Sequence, residues 1–286
     1  MILISSSQKT SAKLVEGTIL FLFFALFVHL TTSAAFSSGT LAVSACMILI
    51  AAWLGSKSIK WGYGSTRPLL IILTALAGGF WSFSFFKYMG LVLWPLSRAV
   101  DLTGYIKLLY FHVVLSLSVL TPILIIYRKM SSPHYVLWSD RKKGYSCPIP
   151  FKTALWFGLS GVCIWAISVV LSVKITASGP VIVFFILALI KSALTGATEE
   201  IAYRGIIQPA AITRFGVPMG IVFQSCLYTT FHMHLGPAFF SHTIFLGSVM
   251  ALGLVFGSIT YLSGGIRWAV AAHTAINLVI EWHNLS

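Results

Sequence analysis

Two adjacent carboxylates follow a long apolar stretch, in the segment "TGATEEIAYRGIIQP" at residues 195–209. A charged side chain inside an apolar helix is costly unless it is paired, hydrated or protonated, so it marks a candidate functional site. Glu200 has Arg204 four residues later, and this spacing predicts an ion pair on one helical face. Glu199 has Tyr203 at the same spacing, which can hydrogen-bond without cancelling its charge. Glu199 is therefore the better candidate for reactive chemistry.

The geometry of an α-helix separates the two glutamates. Successive residues point about 100° apart, so we predict that Glu199 and Glu200 have different roles and that each has its own partner. Lys191 lies two turns before Glu199. Its long side chain is compatible with ion pairing, with snorkelling toward an interface or with substrate binding, and the structural roles are favoured.

The segment "YTTFHMH" contains His232 and His234 near the end of the next apolar run. Glu199 lies 17 residues before Gly216, and His232 lies 16 residues after it. If both legs are helical, each rises about 24 to 26 Å from the turn at about 1.5 Å per residue, so the two side chains can meet. His234 is offset by about 200° from His232, so at most one of the two faces the same groove.

A third polar pair, His273 and Asn277 in "AVAAHTAINLVI", lies one helical turn apart in the last apolar run. Side chains on one face inside a bundle can donate two hydrogen bonds to one oxygen, which is what an oxyanion hole requires. Each of the three motifs also occurs in purely structural helices. Their position in separate apolar runs at compatible depths predicts one shared polar site.

The composition places these motifs in a membrane protein. Hydrophobic residues make up 58% of the 286-residue chain and charged residues 9%, against about 25% charged in soluble domains. The net charge of +13 does not indicate a nucleic-acid partner, because the Lys and Arg residues cluster between apolar runs. The four cysteines lie far apart without a C-x-x-C motif, so neither a disulfide framework nor a cysteine metal site is expected.

The apolar runs predict an all-α, polytopic transmembrane helix bundle with about eight or nine spans. The first run is expected to remain as a transmembrane helix rather than to be cleaved as a signal peptide. Basic clusters in the loops at 57–67 and 128–152 lie two spans apart and predict a cell (inner) membrane protein with a cytoplasmic N-terminus. The runs cover residues 15–36, 40–55, 68–86, 105–127, 153–173, 181–199 continuing toward 214, 217–233, 238–262 and 266–282.

The polar motifs divide the chain into two parts. Residues 1–150 contain N-terminal helices and the basic loop but no recognisable motif. Residues 151–286 contain every polar motif described above, between positions 199 and 277. We therefore predict a C-terminal catalytic core, with an N-terminal part of unassigned function.

The order of the motifs "EEIAYR", "YTTFH" and "HTAIN" resembles the CAAX protease and bacteriocin-processing (CPBP, or Abi) family of intramembrane glutamic endopeptidases, over roughly residues 190–282. The family pattern is Glu-Glu-x-x-x-Arg, then aromatic-x-x-x-His, then His-x-x-x-Asn. In this chain the pattern falls on Glu199, Glu200, Arg204, Tyr228, His232, His273 and Asn277.

The resemblance implies a peptidase in which Glu199 and His232 activate a water. His273 and Asn277 would then hold the developing oxyanion, and Glu200 with Arg204 would support the site. Two features depart from the family pattern: Tyr228 stands where Phe is usual, and His234 adds an imidazole. The implied substrate is a membrane-associated protein or peptide, as in the family members that trim prenylated CAAX proteins, and lipidation of the substrate is left open.

Two other function classes remain compatible with the sequence. Two Glu and up to three His side chains can bind zinc, as in a metallopeptidase, although no His-Glu-x-x-His motif is present and Glu200 is expected to be paired. Intramembrane Glu and His residues also form proton relays in transporters, which usually show inverted repeats. A glutamic peptidase needs no cofactor, so chemical activity and metal content separate the three classes.

Overall fold

A computed structural model of the protein describes residues 6–32, 43–51, 67–88, 102–129, 181–232 and 242–285. These residues are almost entirely helical and contain no β-strand, which confirms the predicted all-α class for this part of the chain. The elements are α1 Ser6–Thr32, α2 43–51, α3 Arg67–Tyr88, α4 Leu102–Lys129, α5 Val181–Glu199, a π-helical segment Glu200–Ile207, α6 Gln208–Phe215, α7 Val217–His232, α8 His242–Ser263 and α9 Arg267–Leu285.

The helices overlap the predicted apolar runs, except that the run 153–173 lies outside the described residues. Within the described ranges, two helical stretches are long and apolar enough to cross a membrane, Ile182–Phe215 with 34 residues and Thr243–Ser263 with 21. Two shorter apolar stretches, Pro68–Ser82 and Leu109–Pro122, fall below spanning length. The predicted count of eight or nine spans is therefore not confirmed.

A helical hairpin carries the first two motifs. Its outward leg is the continuous stretch of α5, the π-helical segment and α6, and its return leg is α7. The turn is Gly216, whose φ of 87° is a left-handed conformation that glycine adopts without a steric cost. Its backbone N–H donates to the carbonyl oxygen of Ile212 at 2.8 Å. The predicted turn at this position is confirmed.

The π-helical segment interrupts the outward leg directly after Glu199. At its end, the N–H of Gln208 donates to the carbonyl of Tyr203, five residues earlier, instead of the usual four. Pro209 follows at once, and a proline has no N–H to donate while its ring clashes with the carbonyl four residues before it. A wider turn removes that clash, so Pro209 explains why the helix expands where Glu200 and Arg204 lie.

A cluster of buried side chains holds the hairpin against α1 and α3. Phe27, Leu76, Ile206 and Leu227 are at most 1% exposed and belong to this cluster. The rings of Phe80 on α3 and Phe231 on α7 stack with their centroids 4.7 Å apart. Among apolar helices in lipid, close van der Waals packing stabilises such contacts. The cluster therefore fixes the C-terminal end of α7, next to His232.

Two ion pairs connect distant helices. Arg214, at the end of α6, donates from Nε to Glu16 Oε1 of α1 at 3.0 Å and also contacts Glu16 Oε2. Lys191 of α5 pairs with Glu281 of α9, and both side chains are mostly buried. The first pair attaches α1 to the hairpin turn, and the second ties α5 to the last helix.

Two buried glutamines attach α8 to the hairpin. Gln208 Nε2 donates to the carbonyl of Gly257 at 2.9 Å, and Gln224 Nε2 donates to the carbonyl of Gly253 at 3.0 Å. Hydrogen bonds from side-chain amides are a common means of joining helices in an apolar medium. Helix α8 thus closes one side of the hairpin, and α9 lies against α5.

Candidate active site

Three side chains from different helices converge at the end of α5. Glu199 is its last residue, His232 is the last residue of α7, and His273 lies within α9. Glu199 Oε2 is 3.8 Å from His232 Nε2 and 3.7 Å from His273 Nε2. The side chains of Glu199 and His232 are each 13% exposed, and the Glu199 Oε2 atom itself is buried. The predicted meeting of Glu199 and His232 across the hairpin is confirmed.

The orientation of His232 is set by its own helix. Its Nδ1 lies 2.8 Å from the carbonyl oxygen of Tyr228, one turn earlier. Because a carbonyl can only accept, Nδ1 carries the proton of that hydrogen bond. In the neutral ring, Nε2 then presents its lone pair toward Glu199. This arrangement lets the two groups accept protons at the same point.

His273 contacts both glutamates. Its Nδ1 donates to Glu200 Oε1 at 2.8 Å, while its Nε2 faces Glu199 Oε2. Each glutamate has its own partner as predicted, Arg204 for Glu200 and His232 for Glu199, and His273 is shared between them. The physical reason is that α9 places one imidazole between the two carboxylates, where the regular helix widens into the π-helical segment. A carboxylate on one ring nitrogen fixes the tautomer and the ring orientation.

The predicted ion pair below this site is formed. Arg204 Nη1 donates to Glu200 Oε1 at 3.0 Å, and both side chains are fully buried. The guanidinium also lies over the ring of Tyr228, 4.1 Å from its centroid, and 5.7 Å from that of Phe256. Glu200 thus accepts from Arg204 and His273 through the same oxygen atom. It forms a fully buried support, whereas the side chain of Glu199 is 13% exposed.

The two tyrosines of the site differ in what their hydroxyls contact. The Tyr228 hydroxyl lies 3.5 Å from His273 Nε2. The Tyr203 hydroxyl is buried and has no hydrogen-bond partner among the described residues, so the expected hydrogen bond with Glu199 is not formed. The Tyr203 ring packs edge-on against Tyr228, with centroids 5.4 Å apart. Its i+4 relation to Glu199 spans the start of the π-helical segment, where the ordinary helical spacing no longer holds.

The sequence also singled out Asn277, His234 and Lys191. Asn277 is half-buried on α9, and within the described residues it makes no hydrogen bond with Glu199 or His273. His234 lies outside the described residues. Lys191 is engaged with Glu281, which bears out the favoured structural role. The structure thus brings together the two glutamates, Arg204, Tyr228, His232 and His273.

Two supporting features were not predicted from the sequence. The hydroxyl of Thr198, next to Glu199, is hydrogen-bonded to Ser116 Oγ of α4 at 2.8 Å, which holds the end of α5 in place. Phe256 of α8 packs against the His273 ring with centroids 5.4 Å apart. Pro209 was a usable signal for the π-helical segment, because a proline inside a helix disturbs the turn before it. Nothing local in the sequence indicated the other two contacts.

The described residues contain no group of three or more His, Cys, Asp and Glu side chains arranged to hold a metal ion. Cys46 and Cys226 are free thiols, and Cys226 lies on α7, on the same helix as His232.

Comparison with known proteins supports the motif assignment. Residues 180–279 match the family model described as Rce1-like, type II CAAX prenyl endopeptidase. The matched segment includes all three motifs, and residues 1–179 lie outside it. No curated protein and no solved structure matches the chain. The resemblance to the CPBP family is confirmed over residues 180–279, which are similar to the Rce1-like family of CAAX prenyl endopeptidases, a family of peptidases.

Proposed function

We propose that the protein is an intramembrane glutamic endopeptidase that hydrolyses a peptide bond of a membrane-associated, prenylated protein. The convergence of Glu199 with the Nε2 atoms of His232 and His273 carries this proposal. Both imidazoles already use Nδ1 in hydrogen bonds, so their free nitrogens are directed at one carboxylate. The substrate class rests on the family description, CAAX prenyl endopeptidase.

The reaction follows from this geometry as general-base hydrolysis. Glu199 takes a proton from a water held beside His232 Nε2, and the water oxygen forms a bond to the scissile carbonyl carbon. The carbonyl π electrons move to oxygen, and hydrogen-bond donors on the α9 side stabilise the oxyanion. When the C–N bond breaks, the proton passes from Glu199 to the leaving amine. Glu200 and Arg204 hold His273 in position throughout.

His273 can donate a hydrogen bond to the oxyanion only in one protonation state. Its Nδ1 proton is donated to Glu200, so Nε2 carries a donor only when the ring is doubly protonated. Asn277 completes the oxyanion hole once substrate enters, as the family pattern implies.

We also propose the multi-pass arrangement indicated by the sequence. The two candidate spans, Ile182–Phe215 and Thr243–Ser263, carry exposed apolar side chains such as Ile186, Leu189 and Val255, which suit contact with lipid acyl chains. The basic loops and the N-terminus lie on the cytoplasmic side in this arrangement. The catalytic groups then lie on the inner faces of the helices.

The experiment that tests this function compares membrane proteomes. Cells carrying the wild-type protein and cells carrying Glu199→Gln are compared by quantitative mass spectrometry of membrane fractions. We expect uncleaved C-terminal forms of specific membrane-associated proteins to accumulate in the variant. The proposal is wrong if the two proteomes are indistinguishable and purified wild-type protein cleaves no prenylated CAAX peptide.

The metal content provides a separate prediction. Because Glu199 itself is the base, purified protein is expected to contain less than stoichiometric zinc and to keep its activity after dialysis against a chelator. Elemental analysis and an activity assay of the same sample give the measurement. Activity that disappears with the chelator and returns with zinc would instead assign the protein to the metallopeptidases.

The close approach of α9 to α5 leads to a prediction about the glycine at their contact. A Cβ added at Gly196 would lie 3.1 Å from Thr274 Oγ1 and 3.2 Å from Thr274 N, next to His273. Gly196→Ala is therefore expected to displace α9 and to lower kcat about tenfold, because misplacing a catalytic group by about 1 Å can cost 10²-fold. Among the residues that the structure describes, a Cβ at Gly78 of α3 meets nothing within 4 Å.

Gly78→Ala is the matched control, since it makes the same change inside another helix. It is expected to keep full activity and to gain about 0.5–1 kcal/mol of stability from the helix preference of alanine. Both variants are assayed for peptide cleavage and thermal unfolding in one detergent. Equal activity of the two variants would show that the spacing between α5 and α9 does not control the site.

A further inference from the structure

The side chain of Tyr228 closes the site between the two histidines. It lies on α7 and is 3% exposed. Its ring is held on three sides, by the guanidinium of Arg204 at 4.1 Å, by the ring of His232 at 4.4 Å and by the edge of Tyr203 at 5.4 Å between centroids. The ring therefore has little freedom, and its hydroxyl is directed to within 3.5 Å of His273 Nε2.

Hydrogen-bond chemistry assigns the hydroxyl as a donor. The Nδ1 proton of His273 is committed to Glu200, so Nε2 of the neutral ring can only accept. The phenol of Tyr228 keeps its proton up to a pH of about 10 in water, so it supplies a donor when neutral His273 has none. At 3.5 Å the contact is long for a hydrogen bond, so the hydroxyl is held weakly and can turn to a better acceptor.

We infer that Tyr228 is a catalytic residue whose hydroxyl donates a hydrogen bond to the tetrahedral oxyanion, an inference that rests on the proposed peptidase function. When the water attacks and Glu199 takes its proton, negative charge develops on the former carbonyl oxygen. The O–H of Tyr228 turns about its C–O bond from His273 Nε2 to that oxygen, without movement of the ring. No proton leaves the tyrosine, and the hydroxyl turns back when the C–N bond breaks.

The position of Tyr228 relative to Glu199 supports this role. His273 Nε2 lies 3.5 Å from the hydroxyl and 3.7 Å from Glu199 Oε2, so the donor and the base flank the same nitrogen. A substrate carbonyl whose carbon faces a water on Glu199 therefore brings its oxygen to the Tyr228 side. Asn277 makes no hydrogen bond with His273 within the described residues, so Tyr228 is the donor already in place.

The test uses the full-length protein in detergent with a quenched fluorescent peptide that ends in a farnesylated Cys-aliphatic-aliphatic-X sequence. Tyr228→Phe removes the hydroxyl and keeps every ring contact. We expect kcat to fall about 10- to 10²-fold, less than the full loss of one oxyanion donor because Asn277 still donates and the family pattern has Phe in place of Tyr228, with KM changed less than about twofold. A peptide aldehyde, whose hydrate carries a tetrahedral oxygen, is expected to bind more weakly by the same factor.

Tyr203→Phe is the matched comparison, because it removes a neighbouring buried hydroxyl that has no hydrogen-bond partner among the described residues. We expect its kcat to exceed that of Tyr228→Phe by at least about tenfold. Equal losses in the two variants, or wild-type kcat in Tyr228→Phe, would overturn the inference. A lower kcat with unchanged aldehyde binding would also overturn it, because Tyr228 would then only position His273.

Failure of the proposed function has a different signature. If wild-type protein does not cleave the peptide, or if Glu199→Gln cleaves it at the wild-type rate, the peptidase mechanism fails and the assignment of Tyr228 fails with it. If Glu199→Gln is inactive and Tyr228→Phe is fully active, only the role of Tyr228 is wrong. Thermal unfolding of each variant confirms that lost activity does not come from lost fold.

Discussion

Glu199→Gln is expected to lower kcat for peptide cleavage by about 10⁴-fold, at the upper end of what a general base contributes, with stability changed by less than about 0.5 kcal/mol. The amide has the shape of the carboxylate but cannot take a proton from water. Glu199 Oε2 has no hydrogen-bond partner at normal distance among the described residues. Cleavage assays and thermal unfolding of the same purified sample measure both quantities.

The adjacent substitution Glu200→Gln is the control, because it makes the same chemical change one residue later. Glu200 is fully buried and bonded to Arg204 and His273, so losing its charge leaves the guanidinium without an ionic partner. We expect Glu200→Gln to lower both stability and activity. If instead Glu200→Gln abolishes cleavage at wild-type stability and Glu199→Gln remains active, the roles of the two glutamates are exchanged.

The parts of the site that follow from helix geometry could be predicted from the sequence. Helical rise is uniform, so counting residues from Gly216 placed Glu199 and His232 at the same depth. The i,i+4 spacing likewise predicted the pair of Glu200 and Arg204, which the structure forms at 3.0 Å. Both predictions assume regular helical geometry, and they hold although the π-helical segment Glu200–Ile207 and the glycine turn with its φ of 87° interrupt it.

The position of His273 could not be derived in the same way. It depends on how α9 packs against α5, a contact between residues about 75 positions apart in the chain, where Gly196 allows Thr274 to approach. The π-helical segment adds a second departure, because it changes which side chains share a face after Glu199. Together these features turned two predicted carboxylate environments into one network around a single imidazole.

The number of spans shows another limit of the sequence. Apolar runs indicate where helices form, and the described helices overlap the predicted runs. To be counted as a membrane span, a helix must also be long enough and uniformly apolar. Helices α7 and α9 carry the polar side chains His232 and His273 on faces that contact other helices. A helix that contributes to a buried polar site is less apolar than one that faces only lipid, so hydropathy alone does not count such helices reliably.

Removing the buried charge of Arg204 is expected to have the largest effect on stability. Arg204→Met keeps a long apolar side chain against Tyr228 but leaves Glu200 ionised, fully buried and without its guanidinium. Breaking one member of a buried ion pair typically costs about 3–5 kcal/mol. We therefore expect Arg204→Met to unfold at a much lower denaturant concentration than the wild type.

The double variant Glu200→Gln/Arg204→Met tests the physical cause. Removing both charges leaves no unpaired ion, so its stability is expected to exceed that of Arg204→Met by about 1–3 kcal/mol, a coupling typical of contacting residues. Arg267→Met removes an exposed arginine of α9 and is expected to change stability by less than about 0.5 kcal/mol. Strictly additive losses in the double variant would contradict the pairing, because each charge would then be stabilised independently.

The recovery of stability without recovery of cleavage would separate the two functions of the network, since the double variant has a folded core but no carboxylate to hold His273 Nδ1.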